Sequence, residues 1–463
     1  MKMAVMDNLV LYIYNFILHV SFLTLLPLLV VAAPFTRRLR EGFFNYFGLL
    51  SRAQRDFLKG AQKAGGRFYL IHGVSVGEIK LAGAVIEEIL KRDPAAYFAL
   101  TSTSPESVLT ASKIQPAGRV MPLYFPIDIP LFWSFFLKAV KPREIYILEV
   151  DLWPNFIIAA AVREIPVYLL NGRISDKTFN FYSKIPRFAR SLFSLPAMFF
   201  MQSSSDREKA VKLGADGKTS IVAGNMKFDT AVSPADPAKI AELKNAIVSS
   251  FGSDEYGLVI CAGSTHPDEE EMLLDIISAC AARGGEGGTL LIIAPRRVER
   301  ADDIAAMAIK RAGRENVIKF TGSSGSAFPP VRESAAGKAS SPDVLVIGCM
   351  GYLGAAYSLS DAAYVGGTLS AADIGGHNII EPAAFAVPVI FGKNVRNFRD
   401  AASALLESPG VIMAGSGDEL KIALEKLFDP QKRRELSCAG VKTLEIMSRN
   451  SNVTKRIFSI IKG

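Results

Sequence analysis

Short apolar runs alternate with helical patterns along most of this chain, and this alternation limits the folds open to it. The first series of runs lies at residues 68–71, 97–102, 144–150, 166–170, 197–202 and 220–223. Helical patterns, with apolar residues at three- and four-residue spacing, separate these runs. Strands that alternate with helices form a parallel sheet covered on both faces. A second series begins at residues 258–262, so we predict an α/β protein with two doubly wound, Rossmann-like domains.

Changes in composition set the predicted domain boundaries. The SPADP sequence that starts at Ser233 is typical of a linker. We predict an N-terminal membrane anchor at 1–36, a first Rossmann-like domain at 37–232, an interdomain linker at 233–256, a second Rossmann-like domain at 257–430 and a basic C-terminal helix at 431–463. That last helix could cross back to the first domain.

The N-terminal segment is apolar, and no residue between Asp7 and Arg37 carries a formal charge. A helix over residues 9–33 rises about 1.5 Å per residue and is long enough to cross a hydrocarbon layer of about 30 Å. Arg37, Arg38 and Arg40 follow directly, which by the positive-inside rule places the rest of the chain in the cytoplasm. A helix lying in the membrane interface is the alternative, because polar residues interrupt the segment.

Net charge and metal-ligand residues exclude several functional classes. The chain has 463 residues and a formal net charge of +8, which suits anionic membranes or anionic substrates. No arginine-rich tract or nucleic-acid motif accompanies that charge, so we expect no nucleic-acid partner. The four cysteines form no C-x-x-C pair and the four histidines are scattered. These spacings indicate a reducing compartment and no metal site.

The first strand, at residues 68–71, leads into a loop that contains His72, Ser75 and Glu78. In open α/β sheets, ligands bind where strands end and helices begin. Residues 73–77 match G-x-S-x-G, which would make Ser75 the nucleophile of a serine hydrolase. Against this hypothesis, the motif follows the first strand rather than a later one, and no HGGG-type loop precedes it. The hydrolase therefore remains an alternative.

An acidic residue, Glu149, ends the apolar run at 144–150. A carboxylate at the end of a buried strand is costly unless a partner compensates its charge. Glu149 is therefore a site candidate, with a solvated strand end or a helix cap as the structural alternative.

Two segments of the second series bear on ligand binding. Serine, threonine and histidine before a proline and three glutamates, at residues 264–271, are typical of a helix start. Gly375 and Gly376 precede Asn378 and Glu381, and glycines before a helix leave backbone N–H groups accessible to an anion. Asn378 has a helix-cap role as its alternative interpretation.

Several common nucleotide motifs do not occur. The chain has no G-x-x-x-x-G-K-[ST], no G-x-G-x-x-G that opens the first helix, and no D-x-D. Two doubly wound domains with a glycine-rich anion site in the second favour a metal-independent transferase. We expect the donor phosphate on the second domain and the acceptor on the first.

Seven motifs now show a resemblance to a known family. IHGVSVGE, EVDLWPN, NGRIS, GNMKFD, AGSTHPDEEE, IAPRRVER and GGHNIIEPAA, in this order, resemble the Kdo transferases. The resemblance runs from Phe43 to Phe398. It implies a GT-B type glycosyltransferase that transfers 3-deoxy-D-manno-octulosonic acid (Kdo) from CMP-Kdo to a lipid A precursor, with inversion. It also implies an enzyme on the cytoplasmic side of the inner membrane, with no cofactor.

The resemblance also assigns roles to individual residues. Glu78 corresponds to the general base, and Glu149 and Lys227 correspond to groups that support the transition state. The positions that correspond to CMP-binding residues are Pro295, Arg296, Met350, Gly351, Tyr352, Asn378, Ile379, Ile380 and Glu381. Basic residues around Arg173, Lys177 and Lys184 could meet the phosphates of the acceptor.

Two positions depart from the family pattern. Gly348 and Tyr352 stand where the family usually has acidic residues, so contacts with CMP there depend on the backbone. The segment before GGHN is also longer than usual. Two further alternatives stay open: a lipid-linked glycosyltransferase that uses a different nucleotide sugar, and a membrane-anchored nucleotide-sugar-binding protein without activity.

Overall fold

Two parallel β-sheets form from the two series of apolar runs. In the computed structural model the described residues are 8–32, 34–149, 152–231, 235–283, 287–322, 341–372 and 374–461. The chain divides into unit 1, Met1–Thr230 with Asn452–Gly463, and unit 2, Ala231–Ser451. The first seven residues of the expected anchor, residues 232–234 at the start of the expected linker and the glycine- and serine-rich segment 323–340 lie outside the described residues.

Unit 1 contains a sheet of parallel strands in the order β3-β2-β1-β4-β5-β6-β7. The strands are β1 (Arg67–His72), β2 (Ala96–Ser102), β3 (Val120–Tyr124), β4 (Ile145–Leu148), β5 (Val167–Gly172), β6 (Met198–Met201) and β7 (Ser220–Val222). Leu70 packs into the core on one face of the sheet, whereas Tyr69 and Ile71 pack into the core on the other. Burial on both faces explains why the strands are apolar throughout rather than alternating.

The helices of unit 1 are α1 (Asn8–Ala32), α2 (Arg37–Tyr46), α3 (Arg52–Lys63), α4 (Val76–Arg92), α5 (Pro105–Ala111), α6 (Pro130–Val140), α7 (Pro154–Val162), α8 (Asp176–Ser183), α9 (Pro186–Phe193) and α10 (Ser204–Leu213). Helix α11 (Lys227–Ala231) ends at the boundary between the units, and α20 (Val453–Ile461) returns to unit 1 from the end of the chain. The backbone of Val453 and Thr454 donates to Asp229 at 3.0 and 2.7 Å, which fixes this return.

One strand is missing from the first series of apolar runs, because prolines at 122, 126 and 130 predict a loop there, and this prediction is wrong at Pro122. Residues Val120–Tyr124 form β3, the edge strand of the sheet, and Pro122 lies beside Leu100 of β2. Proline is tolerated at an edge because its missing N–H can face away from the neighbouring strand. The run at 144–150 also ends earlier than expected, because β4 stops at Leu148 and Glu149 adopts a positive φ of 60°.

Helix α1 is long and apolar enough to cross a membrane, with a mean hydropathy of 1.9 over Leu9–Leu28. One side of it contacts unit 1. Tyr14 donates to Asp128 at 2.8 Å, the Asn155 amide donates to Asn15 at 2.7 Å, and Phe22 packs edge-on against Phe132. Most of its other apolar side chains are exposed, which suggests association with a membrane.

Unit 2 repeats the architecture with strand order β10-β11-β9-β8-β12-β13-β14, again parallel. The strands are β8 (Leu258–Thr265), β9 (Thr289–Pro295), β10 (Val317–Phe320), β11 (Asp343–Ile347), β12 (Ala362–Val365), β13 (Val389–Gly392) and β14 (Val411–Ala414). The helices are α12 (Pro237–Phe251), α13 (Pro267–Ala281), α14 (Ala301–Ala312), α15 (Leu353–Ser358), α16 (Ile380–Ala383), α17 (Arg399–Leu405), α18 (Gly417–Phe428) and α19 (Pro430–Asn450).

Each sheet has a point where the strand order reverses. In unit 1 it lies between β1 and β4, and in unit 2 between β8 and β12. Loops that leave neighbouring strands in opposite directions open a crevice at this point, and ligands of α/β proteins bind there. The motifs predicted to bind substrate follow these four strands and the neighbouring ones.

Candidate active site

The loop between β1 and α4 holds Glu78 in a closed set of hydrogen bonds. Ser75 is the N-cap of α4, and its hydroxyl accepts from the backbone N–H of Glu78 at 3.2 Å. The same hydroxyl donates to Oε1 of Glu78 at 2.7 Å, and the N–H of Val74 donates to Oε2 at 2.7 Å. Only 8% of Glu78 is exposed. The carboxylate is therefore held in one orientation at the crevice of unit 1.

Residues of β2 and α5 support this loop from beneath. The hydroxyls of Ser102 and Ser107 donate to the carbonyl of Val74 at 3.0 and 3.1 Å. The buried ring of His72 bonds to Thr101 through Nδ1 at 3.0 Å and stacks on Phe125. Among the described residues the hydroxyl of Ser75 hydrogen-bonds to Glu78 alone, so the geometry gives the hydrolase hypothesis no support.

Glu149 and Lys227 form an ion pair beside this loop. The Nζ of Lys227 lies 2.8 Å from Oε1 of Glu149, and both side chains are about one-fifth exposed, at 20% and 24%. Glu149 follows β4, the strand next to β1, and its left-handed backbone turns the side chain out of the strand. Lys227 therefore supplies the positive charge that compensates the carboxylate of Glu149 at the end of this strand.

Asn171 positions the segment that carries Lys227. The Oδ1 atom of this fully buried side chain accepts from the N–H of Met226 at 2.9 Å, and its own φ is 56°. The sequence pattern alone does not single out Asn171 as functional. The available signal is its residue type, because asparagine tolerates the left-handed backbone better than other non-glycine residues. Its place at the end of β5, next to β4, is the second signal.

Burial and the charge of Glu149 together raise the pKa of Glu78 above its ordinary value. Burial has the larger effect, because it removes water that would stabilise the charged form. The hydrogen bonds from Val74 and Ser75 act in the opposite direction, since they favour the carboxylate. A carboxylate with a raised pKa is a stronger acceptor for the proton of an attacking group.

In unit 2 the acidic residues that follow β8 are engaged by the protein itself. Glu269 is fully buried, and its Oε2 accepts from the N–H groups of His266 and Gly367 at 3.1 and 2.8 Å. Its Oε1 accepts from Tyr364 Oη, Thr368 N and Leu369 N at 2.8, 3.1 and 3.0 Å. The sequence indicated only a helix start here. The structure shows that the glutamate also fixes the glycine-containing loop that follows β12.

Pro295 ends β9, and Arg296 begins the loop beyond it with an exposed side chain. The N–H of Arg296 donates to the carbonyl of Thr265 at 3.1 Å, which ties this loop to the end of β8. Nearby, Nε2 of His266 and Nε2 of His377 lie 2.8 Å apart. Arg296, His266 and His377 therefore gather beside the crevice of unit 2, although they come from three separate loops.

The segment Met350–Tyr352 lies in the loop after β11. Met350 is 71% exposed, whereas Tyr352 is buried and packs edge-on against Phe320. The hydroxyl of Tyr352 donates to Glu242 of α12. Tyr352 therefore stands where the family pattern usually has an acidic residue, and the carboxylate of Glu242, from α12, accepts a hydrogen bond from its hydroxyl.

The carbonyl of Gly351 in the same loop accepts from Nζ of Lys239, at 3.0 Å. With the bond from Tyr352 to Glu242, this gives two attachments between the loop and α12. The path of the loop backbone is therefore fixed at two neighbouring residues.

The GGHN segment leads into α16, which is a single helical turn. Gly375 and Gly376 have φ values of 83° and 80°, and a Cβ atom on Gly376 would lie 2.7 Å from the carbonyl oxygen of Asn394. Asn378, one residue before Ile379, the N-cap residue of α16, accepts at its Oδ1 from the N–H of Ile380 at 3.2 Å. Ile379 and Ile380 are buried and anchor the turn, and Glu381 is half-buried at its start.

Comparisons with known proteins agree with these motifs. The family model described as 3-deoxy-D-manno-octulosonic-acid transferase (kdotransferase) matches residues 42–230. A 3-deoxy-D-manno-octulosonic acid transferase of Rickettsia bellii is 29% identical over 413 residues, covering 89% of this chain and 92% of the relative. Its counterpart in Haemophilus influenzae is 28% identical over 395 residues, covering 85% of this chain and 86% of the relative.

A solved structure shows the likeness at the level of fold. The UDP-GlcNAc 2-epimerase of Neisseria meningitidis superposes with a TM-score of 0.50 at 14% sequence identity, covering 82% of this chain and all of the other. The likeness concerns architecture alone, because the identity is so low. Together with the two parallel sheets, it confirms the predicted fold class of two Rossmann-like units of the GT-B type.

Proposed function

Because residues 42–230 match the family model of the 3-deoxy-D-manno-octulosonic acid (Kdo) transferases and two curated Kdo transferases are similar over most of the chain, we propose that this chain is a Kdo transferase that moves Kdo from CMP-Kdo to a hydroxyl group of a lipid A precursor. The observation that carries this proposal is the Glu78 carboxylate, which is oriented by two hydrogen bonds, has a raised pKa and lies at the crevice of unit 1.

Glu78 is proposed as the general base. A sugar hydroxyl is a poor nucleophile, and a carboxylate at hydrogen-bond distance accelerates its attack by accepting the proton. The loop geometry supports this role, because Val74 and Ser75 fix the orientation of the carboxylate while each oxygen keeps capacity for another bond.

Glu149 and Lys227 are proposed to support the transition state. As Kdo leaves the phosphate, its ring carbon becomes electron-poor and the phosphate gains negative charge. The carboxylate of the pair suits the first change and the ammonium group suits the second. Because Glu149 is held by Lys227, it is not proposed as a covalent nucleophile. A single displacement by the acceptor hydroxyl then inverts the configuration at the anomeric carbon.

The CMP part of the donor is proposed to bind the loops of unit 2. Arg296 presents an exposed guanidinium group that suits the phosphate, with Pro295 fixing where β9 ends. The other proposed contacts are Met350, Gly351 and Tyr352 after β11, and Asn378, Ile379, Ile380 and Glu381 before and within α16. In the loop after β11 the proposed contacts come chiefly from the backbone, which Lys239 holds in place through Gly351.

The acceptor and the membrane are assigned to unit 1. Lys177, Lys184 and Arg187 of the α8–α9 region are exposed and suit the phosphates of a lipid A precursor. The exposed apolar side chains of α1 suit a lipid layer. We propose attachment to the inner membrane with both units on its cytoplasmic side, where α1 either spans the bilayer or lies in its interface.

The test is an assay of the full-length protein with CMP-Kdo and a lipid A precursor. We expect a product heavier by one or more Kdo residues, with the anomeric configuration opposite to that of the donor. A panel of other nucleotide sugars should give no product. Transfer from a different nucleotide sugar, or hydrolysis with labelling of Ser75 by a fluorophosphonate, would overturn the proposal.

A further inference from the structure

Two of the four histidines of the chain meet at the crevice of unit 2. Nε2 of His266 and Nε2 of His377 lie 2.8 Å apart, and their rings are nearly parallel at 5°. A hydrogen bond between two ring nitrogens needs one protonated and one unprotonated nitrogen. The pair therefore accommodates one additional proton on an outer ring nitrogen and becomes a single cation, whereas two additional protons would break the bond.

The fold makes room for this pair. His266 follows β8 as the N-cap of α13, and its backbone N–H is held by Glu269. Gly367 has a φ of 71°, and a Cβ atom there would lie 2.7 Å from Cδ2 of His377. Among the described residues, the Nδ1 atom of His377 has no hydrogen-bond partner, whereas the His266 side chain takes part in a capping box with Glu269 at the start of α13. The outer nitrogen of His377 is therefore available to a ligand.

The acids near the pair are engaged elsewhere. The side chain of Glu269 is saturated by the loop after β12, and Asp268 accepts from Ser370 and from the N–H of Ala371. Glu270 accepts from Thr265 and Arg300. Glu381 lies near Cys261, and burial together with the charge of this carboxylate raises the pKa of the thiol. No described carboxylate is bonded to either histidine ring.

A positive group lies near the pair instead. Arg296, in the loop after β9, is close enough to act electrostatically on His377, and the loop after β13, whose Asn397 N–H donates to Gly375, carries Lys393 and Arg396. Burial, Arg296 and His266 together lower the pKa of His377 to about 4. Without a ligand His377 is therefore neutral near neutral pH, and a bound anion would supply the negative charge that a protonated pair requires.

We propose that the His266–His377 pair takes up one proton when the phosphate of the nucleotide-sugar donor binds beside Arg296, and that the resulting cation stabilises this phosphate as it leaves. The inference rests on the proposed function. The bond between the anomeric carbon and the phosphate oxygen breaks, and its electron pair stays on the phosphate. The proton of the acceptor hydroxyl goes to Glu78. The proton on the histidine pair comes from solvent at binding and returns to solvent when CMP departs.

The test is calorimetric titration of the full-length protein with CMP in two buffers of different ionisation enthalpy, near neutral pH. The difference in apparent heat gives the number of protons taken up. We expect the wild type to take up about one proton more per CMP than His377→Gln or His266→Gln. Protonation of CMP itself cancels in this difference. The control is His19→Gln, in the exposed part of α1, which should match the wild type.

Each outcome is decisive. Equal proton uptake by the wild type and both variants overturns the role of the pair but leaves CMP binding, and so the proposed function, intact. A wild type that does not bind CMP overturns the donor assignment and this inference together.

A second measurement is independent of affinity. With only four histidines, ¹⁵N-histidine spectra resolve each ring after assignment by the same three variants. We expect the signals of His266 and His377 to move toward the imidazolium form when CMP is added. Signals that stay in the neutral form in the complex would overturn the proposal.

Discussion

The two units place acidic residues at the same topological position and use them in opposite ways. In unit 1, Glu78 follows the strand beside the reversal point and keeps unused hydrogen-bonding capacity. In unit 2, Glu269 follows the corresponding strand and is saturated by five donors. In the proposed function the first crevice therefore supplies the base, and the second supplies positive and neutral groups to the donor phosphate. Under this proposal the two units serve two halves of one reaction, and they differ in how completely the carboxylate is hydrogen-bonded.

The largest expected effect is on Glu78. Glu78→Gln removes the proton acceptor, and we expect a loss of turnover of about 10²- to 10⁴-fold with unchanged affinity for CMP. Steady-state kinetics and calorimetry measure the two quantities. The matched control is Glu87→Gln, an exposed position on the same helix, which should behave as the wild type. Near-normal turnover of Glu78→Gln would remove the main distinction between the two crevices.

In contrast to Glu78, whose substitution should reduce turnover, substitution of Glu269 should reduce the stability of the fold. Glu269→Gln leaves buried N–H donors without an acceptor, and we expect the free energy of unfolding to fall by about 3 kcal/mol. Urea denaturation measures this. Glu271→Gln, on the exposed side of the same helix, should cost less than about 1 kcal/mol. A Glu269 variant of wild-type stability would show that the saturated carboxylate is not structural.

The pH dependence of turnover in a Glu149 variant tests the assignment of Glu78 further. Glu78 must be ionised to act, so turnover should fall as the pH drops through its raised pKa. Glu149→Gln removes a negative charge that raises this pKa, so the acid limb of the pH–rate profile should move to lower pH. We also expect turnover to fall about 10-fold. Lys227→Met keeps the charge of Glu149 and should lose turnover without that downward shift. An unmoved limb in Glu149→Gln would contradict the assignment of Glu78.

The smallest effect is expected for Ser75. Ser75→Ala removes the N-cap of α4, at a cost of about 1 kcal/mol, and a hydrogen bond that favours the Glu78 carboxylate. The acid limb should therefore move to higher pH, opposite to Glu149→Gln, while turnover remains. Ser104→Ala removes the cap of α5 at similar cost and should leave the profile unchanged. Complete loss of turnover in Ser75→Ala would favour a nucleophilic role for this serine.

Some of this arrangement was readable from the sequence, and some was not. The apolar runs and their helical partners predicted both sheets, because burial on two faces leaves a continuous signal. The strand around Pro122 was not predicted, since proline signals a loop and only the edge position makes it acceptable. The position of Glu149 at the end of a buried strand predicted that this carboxylate needs a partner. The sequence could not identify Lys227 as that partner, because the two residues lie in segments far apart in the chain. Neither spacing nor composition could predict that His266 and His377 touch.

The return of α20 to unit 1 has a consequence for how the protein is made. Val453, Ile457 and Phe458 fill one face of the core of unit 1, next to residues of α4. The ribosome synthesises these residues only after all of unit 2. Most of the first unit thus emerges early but cannot complete its core until unit 2 has been made, and a nascent chain that stops before α20 exposes the apolar surface that α20 covers. Completion of the N-terminal unit therefore reports that unit 2 has been synthesised.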